Sequence, residues 1–271
     1  MVFQVKGKSA IVTGGASGIG EALVKRLATL GVFVTVVDRN ADLGNRVVNA
    51  LVKQYGPHFQ FVKADVSSRQ DMLEVFKQTK ARFGKVDIVV LNAGIDENID
   101  YLRDETDPWA NIFPVNVHGV LLGTRMAVAE FTKQKTPGVI SITASMAGLY
   151  PQEYGPVYAA SKGAVVHFVR GLSLSTAKLT PKVRVNCVCP GVVLTPLLFE
   201  GRGRPDSPTH QPSLMQMPPT PIETVVDAHM RAIEDEGLNG EAIRAASGKR
   251  GPELVKFQQV KTVALSGIAK L

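Results

Sequence analysis

Thr13-Gly14-Gly15-Ala16-Ser17-Gly18-Ile19-Gly20 follows the apolar run Ser9–Thr13 and leads into Ile19, Leu23, Leu27 and Leu30, spaced as on one helix face. Three of those glycines let the backbone turn tightly and approach a bound pyrophosphate. Its charge would then lie over the free N–H groups and positive end of the helix. The second β-branched run, Val32–Val37, ends at Asp38, 18 residues beyond Gly20. A carboxylate there can accept both hydroxyls of an adenosine ribose and repels a 2′-phosphate. Strand, glycine turn, helix, strand, acid: this order predicts a dinucleotide site that prefers NAD to NADP.

The same alternation continues outward. Further strand-like runs are Phe59–Lys63, Val86–Leu91, Val139–Thr143 and Val183–Val188, with a last one near Gly240–Ala245. Helical patterns separate them, including long ones at Asp107–Thr132 and Gly155–Lys178 and a later one at Ile222–Asp235. Strands joined by helices must run parallel through right-handed crossovers, with helices on both faces. The expected fold is α/β: one doubly wound Rossmann-type domain over 1–271, built on a parallel seven-stranded sheet. Residues Thr195–Pro221 break the pattern with seven prolines, and a loop so long inside one domain predicts a substrate-covering segment.

With 45% hydrophobic and 20% charged residues, the composition excludes a disordered, collagen-like or coiled-coil chain. No uninterrupted apolar run reaches membrane-helix length, so no membrane span is expected. The net charge of +7 comes from scattered lysines and arginines, which predicts a mixed surface and no nucleic acid. Cys187 and Cys189 are too few for a disulfide framework or a zinc site, and the five histidines show no metal spacing. No metal is expected, and the address expected from this composition is intracellular.

The spacing T-G-x-x-x-G-I-G resembles the short-chain dehydrogenase/reductase family. The resemblance continues at Asp65-Val66, Asn92-Ala93-Gly94, Asn116-Val117-His118-Gly119, Ser145, Tyr158-Ala159-Ala160-Ser161-Lys162 and Pro190-Gly191-Val192-Val193-Leu194-Thr195. The stretch Asn239-Gly240-Glu241-Ala242-Ile243 is similar to the end of the NAD-dependent 15-hydroxyprostaglandin dehydrogenase branch. The resemblance implies that Gly14, Ser17, Gly18, Ile19, Gly20, Asp38, Asp65, Val66, Asn92, Ala93, Gly94, Pro190, Val193 and Thr195 line the cofactor. It further implies that Lys162 holds the nicotinamide ribose and that Asn116 keeps a water in a proton relay.

Tyr158 and Lys162 stand four apart and share a helix face. A phenol is a poor base at neutral pH, but a neighbouring ammonium and an oxidised nicotinamide both favour the phenolate. Tyr158 is thus the expected general base, with Ser145 holding the substrate oxygen. The apolar Leu197, Leu198, Phe199, Leu214, Met215 and Met217 of the covering segment suit a lipid-like or polycyclic body, with Arg202 and Arg204 at the rim. The expected reaction is oxidation of a secondary alcohol with NAD. The alternatives are ketone reduction and a non-enzymatic nucleotide-binding role. Val157, Ala160, Ala164, Val165, Phe168 and Leu172 spread round the Gly155–Lys178 helix, more than one sheet covers, which predicts a homodimer or homotetramer. The ending Ala269-Lys270-Leu271 is similar to a peroxisomal Ser-Lys-Leu signal, so the expected address is cytoplasmic or peroxisomal.

Overall fold

Helices intervene between the strands from Ser9 to Ala245 and leave no room for hairpins, and those strands accordingly pair in parallel. In the computed structural model, residues 2–97, 101–103, 105, 107–153, 155–201, 216–248 and 251–257 are described. The strands are β1 (Ser9–Thr13), β2 (Phe33–Asp38), β3 (Phe59–Lys63), β4 (Ile88–Leu91), β5 (Gly138–Thr143), β6 (Val183–Pro190), β7 (Ala242–Ala245) and β8 (Glu253–Leu254). Their spatial order is β3-β2-β1-β4-β5-β6-β7-β8. The strand order reverses between β1 and β4, so the carboxyl ends of those two strands face the crevice where such sheets bind ligands.

The seven expected strands are present, but the sheet has an eighth. β8 is two residues long and pairs antiparallel with β7, Ile243 opposite Leu254. Nothing local specifies so short a strand; the free edge of β7 does.

Helices α1 (Gly18–Thr29) and α2 (Ala41–Tyr55) cover one face together with a late helix, and α3 (Arg69–Phe83), α4 (Gly119–Gln134) and α5 (Pro156–Thr176) cover the other. A short α6 (Pro196–Glu200) follows β6, and α7 (Ile222–Glu234) is the late helix, its Val226, Met230 and Ile233 packed with Leu23 and Leu27 of α1. The strands are buried on both sides, which explains their near-continuous apolar sequences.

One expected element is recast. The Asp107–Thr132 pattern is not a single regular helix: a 3-10 turn at Pro108–Asn111 and a π-helical turn at Pro114–His118 precede α4. The whole helical stretch Trp109–Gln134 has the length and hydropathy of a membrane span. Its Val120, Ala127 and Phe131 nevertheless pack into the core beside Leu91 and Ile140. The expected Arg202, Arg204, Leu214 and Met215 of the covering segment, and the tail Ala269-Lys270-Leu271, lie outside the described residues.

Candidate active site

The glycine turn after β1 and the Asn92 turn after β4 are tied together. The backbone N–H groups of Asn92 and Ala93 donate to Thr13 Oγ1 at 3.0 and 3.2 Å. Asn92 Nδ2 donates to the carbonyls of Thr13 (3.1 Å) and Gly14 (3.2 Å). A Cβ at Gly20 would stand 2.0 Å from the Gly14 oxygen and 2.6 Å from Asn92 Nδ2, so the turn closes only around glycine. Ser17 precedes α1 without capping it through its side chain, which leaves the helix's first N–H groups facing the crevice for an anion.

Asp38 ends β2 beside this turn. Its Oδ2 accepts from the Ala16 N–H (3.1 Å) and its Oδ1 from Asn40 (3.0 Å). Each oxygen keeps a lone pair for a ribose hydroxyl. From the far side, the Pro190–Thr195 stretch closes on the turn: Val193 packs with Ile19, and Thr195 Cγ2 lies 3.2 Å from where a Cβ of Gly18 would be. Asp65 is at the exposed rim, where its Oδ1 accepts from the Ser67 amide and hydroxyl, while Val66 packs against Gly119.

Tyr158 and Lys162 are both buried on the first turns of α5. Lys162 Nζ donates to the Thr143 carbonyl at 3.0 Å and stands 5.7 Å from the centre of the Tyr158 ring. Burial lowers the Lys162 pKa to about 8, opposed by the carboxylate of Asp96. Ser145, two residues beyond β5, accepts from the Ala147 N–H through Oγ (3.1 Å), which leaves its own proton to donate. A Cβ at Gly148 would lie 2.6 Å from the Lys162 backbone carbon, so that glycine lets the serine turn dock directly on α5. The space above Gly94 is flanked by Lys162 Nζ and Asn116 Oδ1, at 3.3 and 3.2 Å from a Cβ built there. The family profile described as short chain dehydrogenase matches residues 8–203. The chain belongs to the short-chain dehydrogenase family.

Its similarity to curated proteins runs beyond that span. It is 31% identical over 260 residues to the 15-hydroxyprostaglandin dehydrogenase [NAD(+)] of Rattus norvegicus, covering 91% of this chain and 94% of that one. It is 37% identical over 186 residues to the 3beta-hydroxysteroid dehydrogenase 2 of Eggerthella lenta, covering 68% and 70%. Among solved structures, the 3-ketoacyl-(acyl-carrier-protein) reductase from Brucella melitensis, complexed with NADH, superposes with a TM-score of 0.78 at 28% identity. The match covers 89% of this chain and 97% of that one.

Within this short-chain dehydrogenase the side chain of Asn116 is already engaged. Its Nδ2 donates to the Ile95 carbonyl (2.9 Å) and to Ser161 Oγ (3.1 Å), and its Oδ1 accepts from the Ile95 N–H (2.8 Å). It pins the turn after β4 beside α5, and only an Oδ1 lone pair is left for the water that the resemblance implies.

Glu97 belongs to the site although no sequence motif includes it. Gly155 at the head of α5 offers no side chain to cap the helix, and the buried carboxylate of Glu97 does so instead, accepting from the Tyr158 N–H at 2.7 Å. The cap and the helix are 61 positions apart, so no local pattern marks it. The two cysteines are buried on β6; a hydrogen bond with Cys189, then burial, pushes the Cys187 thiol well up and leaves it inert. Among the described residues no cluster of His, Cys, Asp or Glu can hold a metal.

Several large apolar side chains on the segments that follow the serine turn and β6 are exposed. Tyr150 follows the serine turn, Leu194, Leu197 and Phe199 follow β6, and Met217 leads toward α7, each at least 38% exposed. Trp109 is half-buried, donating to Asp107 and stacking edge-on with Tyr101.

Proposed function

We propose that this NAD-dependent short-chain alcohol dehydrogenase oxidises a secondary hydroxyl of a lipid-like or polycyclic molecule to the ketone. The observation that carries the substrate class is the exposed apolar set Tyr150, Leu194, Leu197, Phe199 and Met217, carried on the segments that follow the Ser145 turn and β6. Large apolar groups left in water at the mouth of a crevice favour a nonpolar ligand that covers them. The rat relative's name, and that of the Eggerthella lenta protein, agree with such a substrate.

The dinucleotide fits the cradle: the space at Gly20 admits no Cβ, the head of α1 has no side-chain cap, and Asp38 stands where the ribose is read. The pyrophosphate would be held by the backbone of Gly14, Ser17, Gly18, Ile19 and Gly20. The adenosine would lie between Asp38 and the rim formed by Asp65 and Val66. Asn92, Ala93, Gly94, Pro190, Val193 and Thr195 would enclose the nicotinamide half. Bound there, NAD would supply the hydride acceptor for the carbinol carbon. Ser145 donates its free proton to the substrate oxygen and fixes it in line with Tyr158. Tyr158 Oη removes the hydroxyl proton. Lys162, still an ammonium at neutral pH, favours the phenolate by its charge. Glu97 and Gly148 keep α5 and the serine turn in register, so the two oxygens that handle the proton stay aligned.

The test is a panel of short alcohols, sugars and hydrophobic secondary alcohols, each with NAD, followed by the absorbance of the reduced cofactor. Turnover confined to the hydrophobic members is the expected result. Preference for sugars or polyols overturns the substrate class, turnover only from ketones with NADH overturns the direction, and binding of NADH without turnover favours the non-enzymatic alternative. The outer faces of α4 and α5 carry the exposed Leu121 and Leu174, and we place a homodimer or homotetramer contact there. A monomer by light scattering contradicts it. The peroxisomal part of the cytoplasmic or peroxisomal address rests on Ala269-Lys270-Leu271 alone; unchanged localisation of a tagged chain after deletion of these three dismisses it.

A further inference from the structure

His229 is fully buried on α7, and its ring meets two hydroxyls of β5: Nδ1 to Ser141 Oγ at 2.8 Å and Nε2 to Thr143 Oγ1 at 3.1 Å. Ser141 and Thr143 are i and i+2 on one strand and point to the same face. Thr143 Oγ1 also lies 3.0 Å from Asn92 Oδ1.

Counting protons fixes the direction of every bond in this chain. Asn92 spends its amide protons on the carbonyls of Thr13 and Gly14, so its Oδ1 can only accept. Thr143 has one hydroxyl proton and must give it to Asn92. Toward His229, Thr143 therefore accepts, which places the imidazole proton on Nε2. Nδ1 is then bare, and Ser141 donates to it. The polarity runs unbroken from Ser141 through His229, Thr143 and Asn92 to the Gly14 carbonyl, inside the cofactor turn. The backbone carbonyl of the same Thr143 holds Lys162 Nζ.

The helix that brings the histidine is itself anchored. Arg184 on β6 is buried and donates to the carbonyls of Ala232 (3.0 Å), Ile233, Asp235 (2.9 Å) and Leu238 (3.3 Å), in the last turn of α7 and the loop after it. Asn186, two residues along, donates to Ala232 and Leu238. This clamp sets α7 against β5 and β6, and with it the depth of the imidazole.

We propose that His229 is a positioning residue of the cofactor site: through Thr143 it sets the side-chain orientation of Asn92, and so the path of the Gly14 turn. The inference rests on the reading of that turn as the NAD site. An imidazole in this tautomer offers one acceptor and one donor, and the carboxamide of glutamine offers the same pair. Leucine offers neither and leaves Thr143 free to turn away from Asn92.

The test is the affinity of the full-length chain for NADH, read by its fluorescence, together with steady-state kinetics. His229→Leu should raise the Kd for NADH and the KM for NAD by about tenfold, the scale of one well-made buried hydrogen bond, with kcat nearly unchanged. His229→Gln should restore both to within about twofold. Thr143→Val, which cuts the chain one link later, should reproduce the leucine variant, and the double variant should be no worse than either single one. The Thr143 arm also keeps the test decisive if His229→Leu does not fold. Wild-type affinity in Thr143→Val, additive losses in the double variant, or a glutamine variant as weak as the leucine one each overturns the proposal. A wild-type chain that ignores NADH overturns instead the reading of the turn as the NAD site.

Discussion

Two parts of the crevice are built on opposite terms. On the side of β1 and β4, Thr13, Gly14, Asn92, Thr143 and His229 are joined bond by bond, with Thr13, Thr143 and His229 buried and Asn92 partly so. On the side of β6, Leu194, Leu197, Phe199 and Met217 are apolar and open to solvent. A bonded network tolerates one ligand shape, because a lost partner leaves a buried polar group unsatisfied. An apolar rim works by area and adaptable packing and tolerates many. The first side suits a cofactor that never changes; the second suits a substrate that varies across a family.

The contrast can be broken at the chemistry between the two sides. Tyr158→Phe removes the proposed proton carrier and touches neither region, so kcat should fall by about 10²- to 10⁴-fold while the Kd for NADH stays within about twofold. Weak NADH binding by this variant would show that the two regions are not separable.

Asp38→Ala attacks the bonded side. It removes the charge that repels a 2′-phosphate and also the acceptor of the Ala16 N–H. The ratio of kcat/KM for NAD over NADP should drop by about a hundredfold, the scale of a like-charge contact, with NAD itself bound more weakly. Neighbouring Arg39 should then favour the phosphate.

Acid should reveal the same side through stability. Burial lowers the His229 pKa from 6.5 to about 3, so between those values the unfolded chain binds a proton that the folded chain does not. Stability from this group is full above about pH 6.5 and is lost as the pH falls toward 3, about 2 kcal/mol of it by pH 5. His229→Gln should flatten the acid limb by that amount. Urea unfolding of both proteins at pH 7 and pH 5 measures it, and equal slopes would place the imidazole in contact with water.

The smallest effect belongs to the open rim. Phe199→Ala should raise the KM of a hydrophobic alcohol by about five- to tenfold, since a half-exposed ring contributes part of its burial energy to a ligand. NAD parameters should not move. A uniform loss with short and long alcohols alike would mean that the ring packs the fold and does not meet the substrate.

How far the sequence discloses all this obeys the same division. β1 and β3 are where their apolar runs lie, Asn92 bonds to the glycine turn, and Lys162 stands beside Tyr158 as residues four apart on a helix do. Those features are local: an apolar run, a residue that only glycine can be, a pair four apart on a helix. The hidden features are non-local. Glu97 caps a helix 61 residues away, His229 meets β5 across 86 to 88 positions, and β8 exists only because β7 presents an edge. The kink before α4 is hidden for a related reason. A pattern of apolar spacing reports which face is buried, and it is blind to one residue too many in a turn.

That surplus residue, in the π-helical turn Pro114–His118, works as a phase shifter for the stretch before it. Such a turn amounts to a helix that has taken in one amino acid without shifting the phase of the turns beyond it, so α4 keeps its apolar face on the sheet. Losing it again would restore ordinary winding with α4 in place, but the stretch before α4, buried Ile112 included, would be carried round the axis, and Asn116 away from Ile95 and Ser161. The length of this one turn thus decides whether the Asn116 carboxamide meets the turn after β4 and α5 at all.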